Sequence, residues 1–199
     1  AAARYFCSVC GASSASWAGR CPSCGEWGTM EKGATPGAEA NRQVARCIVA
    51  SEALPPSRVS SGFDDFDRVL GGGFVPGGVY LLGGQPGIGK STLLLQTCGM
   101  MAEIVGPVLY LSGEESESQI ALRAKRLGTR LDGLHLACTG DIVSALEALP
   151  GMRFLVVDSV QAMSVDGEGG WPGSPAQVRA VAQACISSAK ERGIPAVLV

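Results

Sequence analysis

Apolar and polar positions alternate in blocks from residue 79 to the end of the chain. Short apolar runs, which suit buried strands, are followed by longer amphipathic runs, which suit helices. The expected strands cover 79–82, 108–112, 134–137, 153–157 and 195–199, and the expected helices cover 90–103, 116–127, 141–149 and 174–192. This alternation predicts a parallel sheet with right-handed crossovers, helices on both faces and ligands at the carboxyl ends of the strands.

The last expected helix has the clearest end signals. Ser174 is in the N-cap position, Pro175 follows as the first helical residue, and Gln177 is placed to complete a capping box. Gly193 follows the helix, where glycine commonly ends one. We therefore expect this helix to begin at Pro175.

The first third of the chain lacks the alternation and predicts a different organisation. Residues 31–57 are rich in Ala, Gly, Glu and Pro, with one short apolar stretch at 44–50, and indicate a linker. We expect a small cysteine module at 1–30 and an α/β core at 58–199. Because the chain lacks an initiating Met and stops inside a strand-like run, the core is expected to be C-terminally incomplete.

Composition narrows the function classes. The 199 residues are 46% hydrophobic and 17% charged, with a formal net charge of −2. Composition alone therefore does not indicate a strongly basic surface for binding nucleic acid. The N-terminus lacks the pattern of a secretory signal, and the most apolar region is too short to span a bilayer. We expect a soluble cytoplasmic protein.

A complete GxxxxGKS phosphate loop lies between an expected strand and an expected helix. Its glycines Gly84, Gly87 and Gly89 permit backbone angles that turn amide N–H groups toward phosphates. Lys90 is expected to reach the β and γ phosphates of ATP. The expected nucleotide-binding residues are Gly84, Gln85, Pro86, Gly87, Ile88, Gly89, Lys90, Ser91 and Thr92.

Acidic residues end two of the expected strands. Asp158 ends one of them and is expected to hold Mg²⁺ together with the Ser91 hydroxyl. Glu114 and Glu115 follow another strand, which we expect to lie next to the phosphate-loop strand. Glu114 is the expected orienter of the attacking water, and Glu115 is expected to favour the N-terminus of the following helix. Lys90, Glu114 and Asp158 are therefore the candidate catalytic residues.

Four cysteines near the N-terminus form two CxxC pairs separated by ten residues. Two such knuckles can complete a closed tetrahedral Zn²⁺ site. The ligands expected are Cys7, Cys10, Cys21 and Cys24. Two disulfides are the alternative, but an intracellular location disfavours them. The other cysteines lie in apolar segments and are given no function: Cys47, Cys98, Cys138 and Cys185.

The three tryptophans are expected to have two different roles. Trp17 and Trp27 lie in the cysteine module and are expected to pack around its metal. Trp171 lies in a glycine-rich loop, where it is expected to stay exposed and can stack on an unpaired DNA base. A subunit contact, or a loop folded back on the core, remains an equal alternative.

Some of the remaining polar residues are expected to have no catalytic or binding role. Arg123, Arg126 and Arg130 recur at helical spacing, which predicts a solvated helix face. His135, the single histidine, falls in an expected strand and is predicted to be buried or half-buried.

The motifs, in their order, resemble the RadA (Sms) family of bacterial DNA repair proteins in the RecA superfamily. They are the paired CxxCG knuckles, the run Ser61–Gly73, the phosphate loop and the run Leu111–Ser116. The resemblance implies a RecA-like P-loop NTPase core behind a rubredoxin-knuckle zinc module. It also implies a DNA-dependent ATPase that processes branched recombination intermediates and promotes branch migration, typically as a hexameric ring.

The resemblance also bears on DNA contacts and on the extent of the chain. Segment 163–177 corresponds to the family's first DNA-facing loop, which makes Trp171 and Arg179 candidate contacts for single-stranded or branched DNA. Recombinase or replication proteins are further implied partners. Family members continue with the rest of the core, a KNRFG motif and a Lon-protease-like domain, so this chain is expected to bind ATP without efficient turnover.

Two alternatives remain open from the sequence. One is a signalling ATPase similar to KaiC, which shares the glycine-rich lead-in and phosphate loop but acts through protein partners. The other is an adaptor whose zinc module docks another protein and which uses ATP only for assembly.

Overall fold

The computed structural model describes residues 4–10, 12–33, 56–147 and 150–199. The chain divides into two compact units, Ala1–Leu54 and Pro55–Val199. Most of the expected linker, its apolar stretch at 44–50 and Cys47 lie outside the described residues. Within the described parts, no helix is both long enough and apolar enough to cross a membrane.

The first unit contains a small antiparallel sheet. Its strands are β1 (Arg4–Cys7), β2 (Ser13–Ser14) and β3 (Met30–Gly33), in the order β2-β1-β3. Cys7 and Cys21 are buried together with Met30, so two of the expected metal ligands form part of its core.

The second unit is built from alternating strands and helices. Its strands are β4 (Val79–Leu81), β5 (Val108–Ser112), β6 (Leu134–Cys138), β7 (Phe154–Asp158) and β8 (Ala196–Leu198). Its helices are α1 (Asp64–Val69), α2 (Lys90–Val105), α3 (Glu117–Arg126), α4 (Ile142–Glu147) and α5 (Pro175–Arg192). A 3₁₀ turn at Val160–Ala162 follows β7.

The five strands form one sheet in the order β4-β8-β7-β5-β6, and every neighbouring pair is parallel. The carboxyl ends of all five strands therefore meet at one edge. This sheet confirms the predicted parallel α/β architecture.

Both faces of the sheet are covered by helices. In β5, Leu109 and Leu111 pack with residues of α4 and α5, whereas Val108 and Tyr110 pack with residues of α2 and α3. Successive strand residues point to opposite faces, so a strand covered on both sides reads as a continuous apolar run. Each large apolar side chain that is fully buried in this way contributes about 1.5–3 kcal/mol to the free energy of unfolding.

The start of α5 differs from the prediction in one respect. Ser174 is the N-cap and accepts a hydrogen bond from the Gln177 N–H, as expected. The Gln177 side chain, however, does not complete a capping box. Its amide accepts from the Val165 N–H at 2.8 Å and donates to the Glu168 carbonyl at 2.9 Å, so it ties down the preceding loop. Buried polar groups are nearly always hydrogen-bonded, and here the Gln177 amide pairs with backbone groups of the loop.

The prediction for His135 is also wrong. His135 is exposed, although it lies in β6 as expected. Strand β6 is at the border of the sheet, where the helix layer covers side chains less completely. A strand assignment therefore did not imply burial at this position.

Candidate functional site

The phosphate loop joins β4 to α2. Gly87 and Gly89 have φ angles of +78° and +104°, in the region that favours glycine, and Gly89 is the N-cap of α2. Gly84 differs from the expectation because its φ angle is not positive. A Cβ there would lie 3.4 Å from Ile88 Cγ2, which is an ordinary van der Waals contact. Gly87 and Gly89 are therefore the two positions where the backbone of this loop favours glycine.

Helix α2 presents its N-terminus at the same edge of the sheet. The N–H groups of a first helical turn have no partner within the helix, and together with the helix dipole they attract anions. Lys90 Nζ donates to the carbonyls of Gly84 and Gln85 at 2.9 and 3.0 Å. The ammonium group therefore lies against the loop that would hold the phosphates. Ser91 and Thr92 follow in the first turn and are half-buried.

The strand order corrects one sequence-based expectation. Strand β5, which leads to Glu114, does not lie next to the phosphate-loop strand β4, because β8 and β7 separate them. Helix α2 packs against β7 and β5, so the phosphate loop crosses over β8 to bring its helix above these strands. Ser91 thereby reaches the ends of β5 and β7 although β4 is at the border of the sheet.

A polar cavity of about 250 Å³ lies where these elements meet. It is lined by Ser91, Ser112, Glu114, Glu115, Arg123 and Asp158. Three residues singled out from the sequence, Ser91, Glu114 and Asp158, are thus brought together. Hydroxyl and carboxylate oxygens are the ligands that Mg²⁺ prefers, so Ser91 and Asp158 fit a magnesium site.

Asp158 is held by a residue that sequence reasoning missed. The Tyr110 hydroxyl donates a hydrogen bond to Asp158 Oδ2. Tyr110 is fully buried in β5, and its burial, reinforced by the Asp158 charge, raises its pKa far above the ordinary value. It therefore remains a hydroxyl donor. The contact depends on β5 lying beside β7, where Ser112 pairs with Asp158, and no local sequence pattern indicates that order.

The two glutamates after β5 have different surroundings. Both Glu115 oxygens accept from Arg123, at 3.1 and 2.6 Å. Glu114 instead accepts one hydrogen bond, from Ser159 Oγ to Oε1 at 3.0 Å. Glu115 is thus tied to a cation, whereas Glu114 keeps one oxygen without a hydrogen-bond partner in the described protein.

Arg123 corrects the prediction of a fully solvated helix face. Its side chain is only 19% exposed and is paired with Glu115, because α3 turns this position toward the strand ends. Lys125, Arg126 and Arg130 are exposed as expected. The buried Arg123 Nε has no hydrogen-bond partner among the described residues.

The loop after β5 is held close to the turn after β7. A Cβ on Gly113 would lie 2.6 Å from Ala162 Cβ and 2.8 Å from the Ala162 carbonyl oxygen, so only glycine fits without displacement. The buried Ser112 hydroxyl accepts from the Glu115 N–H at 3.1 Å and fixes the loop from the other side. Glu114 is thereby kept beside Ser159.

The four N-terminal cysteines converge. All four sulfur atoms lie within 4.8 Å of one another, and the pairs Cys7–Cys24 and Cys10–Cys21 are each separated by 3.7 Å. Four sulfurs at a Zn–S distance of ~2.3 Å form a tetrahedron with edges of roughly 3.8 Å. A disulfide requires an S–S distance of only ~2.05 Å. The geometry therefore fits zinc and not the alternative of two disulfides.

Local hydrogen bonds lower the pKa of two cysteines of this cluster, Cys7 and Cys21. A backbone hydrogen bond with Glu26 acts in the same direction on Cys24, but burial and the neighbouring thiols outweigh it and raise the pKa of Cys24 to about 12. A hydrogen bond with Thr29 and others from backbone N–H groups lower the pKa of Cys7 to about 6. Thiolates are the form in which cysteines bind zinc. Outside the cluster, burial raises the pKa of Cys185 to about 12 and that of Cys138 to about 11.

The prediction that Trp17 and Trp27 pack around the metal is wrong. Their side chains are 63% and 73% exposed, and the buried part of the module consists of smaller residues. Both indoles flank Gly19, where a Cβ would lie 3.7 Å from each. Arg20 lies 6.0 Å from the Trp27 ring centre. Cys7, Cys21 and Met30 form the buried core of the module without either indole, so both indoles face solvent.

The candidate DNA contacts lie on the loop and helix after the 3₁₀ turn. Trp171 is 85% exposed, and Arg179 is exposed on α5. Neither residue lines the nucleotide cavity. The Gln177 side chain on α5 is hydrogen-bonded to Val165 and Glu168, so the loop that leads to Trp171 is attached to this helix.

Comparison with known families matches both units. Residues 52–199 match the AAA domain family, and residues 5–32 match the rubredoxin metal binding domain family. The AAA domain implies ATP and Mg²⁺, and the rubredoxin domain with its four cysteines implies zinc. The predicted cofactors ATP, Mg²⁺ and Zn²⁺ are thus confirmed.

The chain is also similar to curated proteins named DNA repair protein RadA. It is 42% identical to the protein of Mycobacterium tuberculosis (strain CDC 1551 / Oshkosh), over 100% of this chain and 44% of the relative. The protein of Bacillus subtilis (strain 168) is 40% identical, and that of Escherichia coli (strain K12) is 39% identical, each over 98% of this chain and 46% of the relative. The chain thus spans less than half the length of these relatives.

A solved structure supports the fold. The crystal structure of the RadB recombinase aligns with a TM-score of 0.51 at 25% identity, covering 70% of this chain and 68% of that one. The whole-chain similarity to RadA proteins, the AAA domain and the zinc module preceding it agree with one another. The chain therefore belongs to the AAA domain family, and over its whole length it is similar to the RadA proteins.

Proposed function

We propose that this chain carries the nucleotide site of a DNA-dependent ATPase that acts in DNA repair and homologous recombination. In this proposal the enzyme processes branched intermediates and promotes branch migration. The observation that carries it is the single cavity lined by Ser91, Glu114 and Asp158, three residues from three separate segments. Hydrolysis of a nucleoside triphosphate requires the metal-binding groups and the group that orients the attacking water to lie side by side.

The residues divide the chemistry among them. Lys90 and the N-terminus of α2 stabilise charge on the β and γ phosphates. Ser91 and Asp158 would hold Mg²⁺, which would supply positive charge against the phosphates. Glu114 orients the attacking water through the oxygen that lacks a hydrogen-bond partner among the described residues. Glu115 is engaged by Arg123 and takes no part in this step.

Contact with single-stranded DNA is assigned in this proposal to the segment around Trp171 and Arg179. An indole that is 85% exposed can stack on an unpaired base, and an exposed guanidinium can pair with a phosphate. The names of the RadA and RadB relatives support a DNA repair or recombinase setting. They also favour this reading over the KaiC-like signalling alternative.

Three further parts of the proposal concern the whole protein. It acts in the cytoplasm as a hexameric ring, contacts recombinase or replication proteins, and couples turnover to DNA movement through parts beyond this chain. We propose the division at 1–30, 31–57 and 58–199, and the family matches at 5–32 and 52–199 support a metal module that precedes a core.

Branch migration tests this proposal directly. The full-length natural protein and its Lys90→Ala variant are incubated with ATP, Mg²⁺ and a labelled three-strand joint whose branch point can move. Extension of the joint by the wild type and not by Lys90→Ala is expected. A joint that stays fixed with an ATP-hydrolysing wild type would remove branch migration from the proposal and leave the ATPase.

The adaptor function remains a second candidate because Trp17 and Trp27 are exposed on the zinc module. Large exposed aromatic side chains commonly mark binding surfaces. The adaptor reading requires that capture of a partner depends on Cys7 and Cys24 but not on Lys90. Pull-down with the corresponding alanine variants separates it from an ATP-driven motor.

A further inference from the structure

The Ser159 hydroxyl connects the two acidic segments of the nucleotide cavity. Ser159 directly follows Asp158, and its Oγ donates to Glu114 Oε1 at 3.0 Å. Glu114 lies 45 positions earlier in the chain, so this contact joins the loop after β5 to the end of β7. Among the described residues, Glu114 is the only hydrogen-bond partner of this hydroxyl.

Two of the three carboxylates that line the cavity, Asp158 and Glu114, share one pattern of hydrogen bonding. Asp158 has its Oδ2 engaged by Tyr110, and Glu114 has its Oε1 engaged by Ser159. The second oxygen of each has no hydrogen-bond partner in the described protein. Each of these two carboxylates thus has one oxygen fixed by a hydroxyl and one left for a ligand.

The backbone on both sides of the Ser159 contact is firmly placed. The Ser159 carbonyl accepts from the Ala162 N–H at 3.1 Å, and the next N–H, of Val160, donates to Val199 at 2.9 Å. On the other side, Gly113 lies so close to Ala162 that a Cβ would overlap it. The hydroxyl is therefore presented from a rigid turn, and a rigid donor can set the direction of an exposed carboxylate.

We propose that Ser159 is a positioning residue that aims the Glu114 carboxylate at the attacking water. This inference rests on the proposed ATP hydrolysis and deepens it. Ser159 touches neither nucleotide nor water in this role, and it acts through Glu114 alone. Loss of a hydrogen bond to a charged group corresponds to a loss of activity of about 10- to 100-fold.

The test uses the full-length natural protein with three single variants. Ser159→Ala removes the hydroxyl, Ser159→Thr retains it, and Ser188→Ala makes the same chemical change on α5, where Ser188 contacts Arg192 far along the chain from the cavity residues. We measure kcat and KM for ATP, the affinity for a fluorescent ATP analogue, and the melting temperature. Ser159→Ala should lower kcat about 10- to 100-fold with KM and affinity unchanged. Ser159→Thr should recover most of the rate, and Ser188→Ala should resemble the wild type.

A second background separates positioning from a general structural role. In Glu114→Ala, adding Ser159→Ala should cause no further loss of kcat, because the group through which Ser159 acts is gone. Additive losses, an unchanged kcat in Ser159→Ala, or a parallel loss of ATP affinity would each overturn the inference. If the wild type itself binds but does not hydrolyse ATP, the proposed function fails instead, which is a distinguishable result.

Discussion

At the scale of single residues, Glu114 and Glu115 are adjacent in sequence yet differ in their partners. Arg123 occupies both oxygens of Glu115, whereas Ser159 occupies one oxygen of Glu114. A carboxylate held in a two-pronged ion pair is a poor partner for a water molecule, because its oxygens are already engaged. The structure thus favours Glu114 for the role proposed from the sequence.

Charge-neutral substitutions test this distinction. Glu114→Gln should lower kcat for ATP hydrolysis by about 100-fold or more with nucleotide affinity retained, because it removes a general base or water-orienting group. Glu115→Gln is the matched control, and it should lower kcat far less while reducing stability through loss of the pair with Arg123. Steady-state hydrolysis and nucleotide titration measure both effects. A larger loss of kcat in Glu115→Gln would reverse the assignment.

The sequence predicted the residues whose chemistry depends on local spacing. Lys90 and Ser91 follow from the phosphate-loop motif alone, since loop and helix are contiguous. The supporting roles of Tyr110 and Ser159 could not be predicted, because they depend on β5 lying beside β7. That order is set by packing across the whole sheet, and the sequence had suggested that β5 lies beside β4.

At the scale of elements, the loop between β5 and α3 is held by close packing against the 3₁₀ turn after β7. Gly113 permits this approach, and the Ser112 hydroxyl braces the loop through the Glu115 N–H. The position of Glu114 is therefore a property of two packed segments. It should be sensitive to changes that push these segments apart.

Gly113→Ala tests that packing. The added methyl would meet the Ala162 side chain and carbonyl, so we expect a loss of about 1–3 kcal/mol in the free energy of unfolding. A reduced kcat should accompany it because Glu114 is displaced. Gly169→Ala is the matched control, since a Cβ at Gly169 meets nothing within 4 Å. Thermal unfolding that is equal for both variants would contradict the close approach.

The zinc module depends on its metal at the element scale. Its described core is small and includes two of the four cysteines, so metal binding supplies much of its stability. Cys10→Ser should abolish stoichiometric zinc and raise amide hydrogen exchange across residues 12–33, with the exchange of residues 56–147 unchanged. Cys138→Ser, outside the cluster, is the control. Retention of one tightly bound zinc per chain by Cys10→Ser would contradict the assignment.

The loop that carries Trp171 gives a separate prediction for DNA. Trp171→Ala should weaken binding of a single-stranded oligonucleotide by about 5- to 100-fold, because base stacking on an aromatic ring is lost. Trp171→Phe retains an aromatic ring and should bind more tightly than Trp171→Ala. Fluorescence anisotropy at fixed salt measures both. Equal binding by the wild type and Trp171→Ala would remove this residue from the DNA surface.

At the scale of the whole molecule, the pattern of apolar runs predicted the type of fold well. Each strand from β4 to β8 falls on an expected run, because a sheet covered on both faces requires contiguous apolar segments. Exposure was predicted less well, as Trp17, Trp27 and His135 show. Exposure depends on which neighbours cover a side chain, and one residue's type does not determine its neighbours.

We propose that this nucleotide site hydrolyses ATP in response to DNA. The most direct measurement is the ATP hydrolysis rate of the full-length natural protein with and without single-stranded DNA, with Lys90→Ala as control. We predict that DNA raises kcat and that Lys90→Ala abolishes hydrolysis in both conditions. A protein that binds ATP but whose hydrolysis rate DNA leaves unchanged would contradict the claim and favour the adaptor.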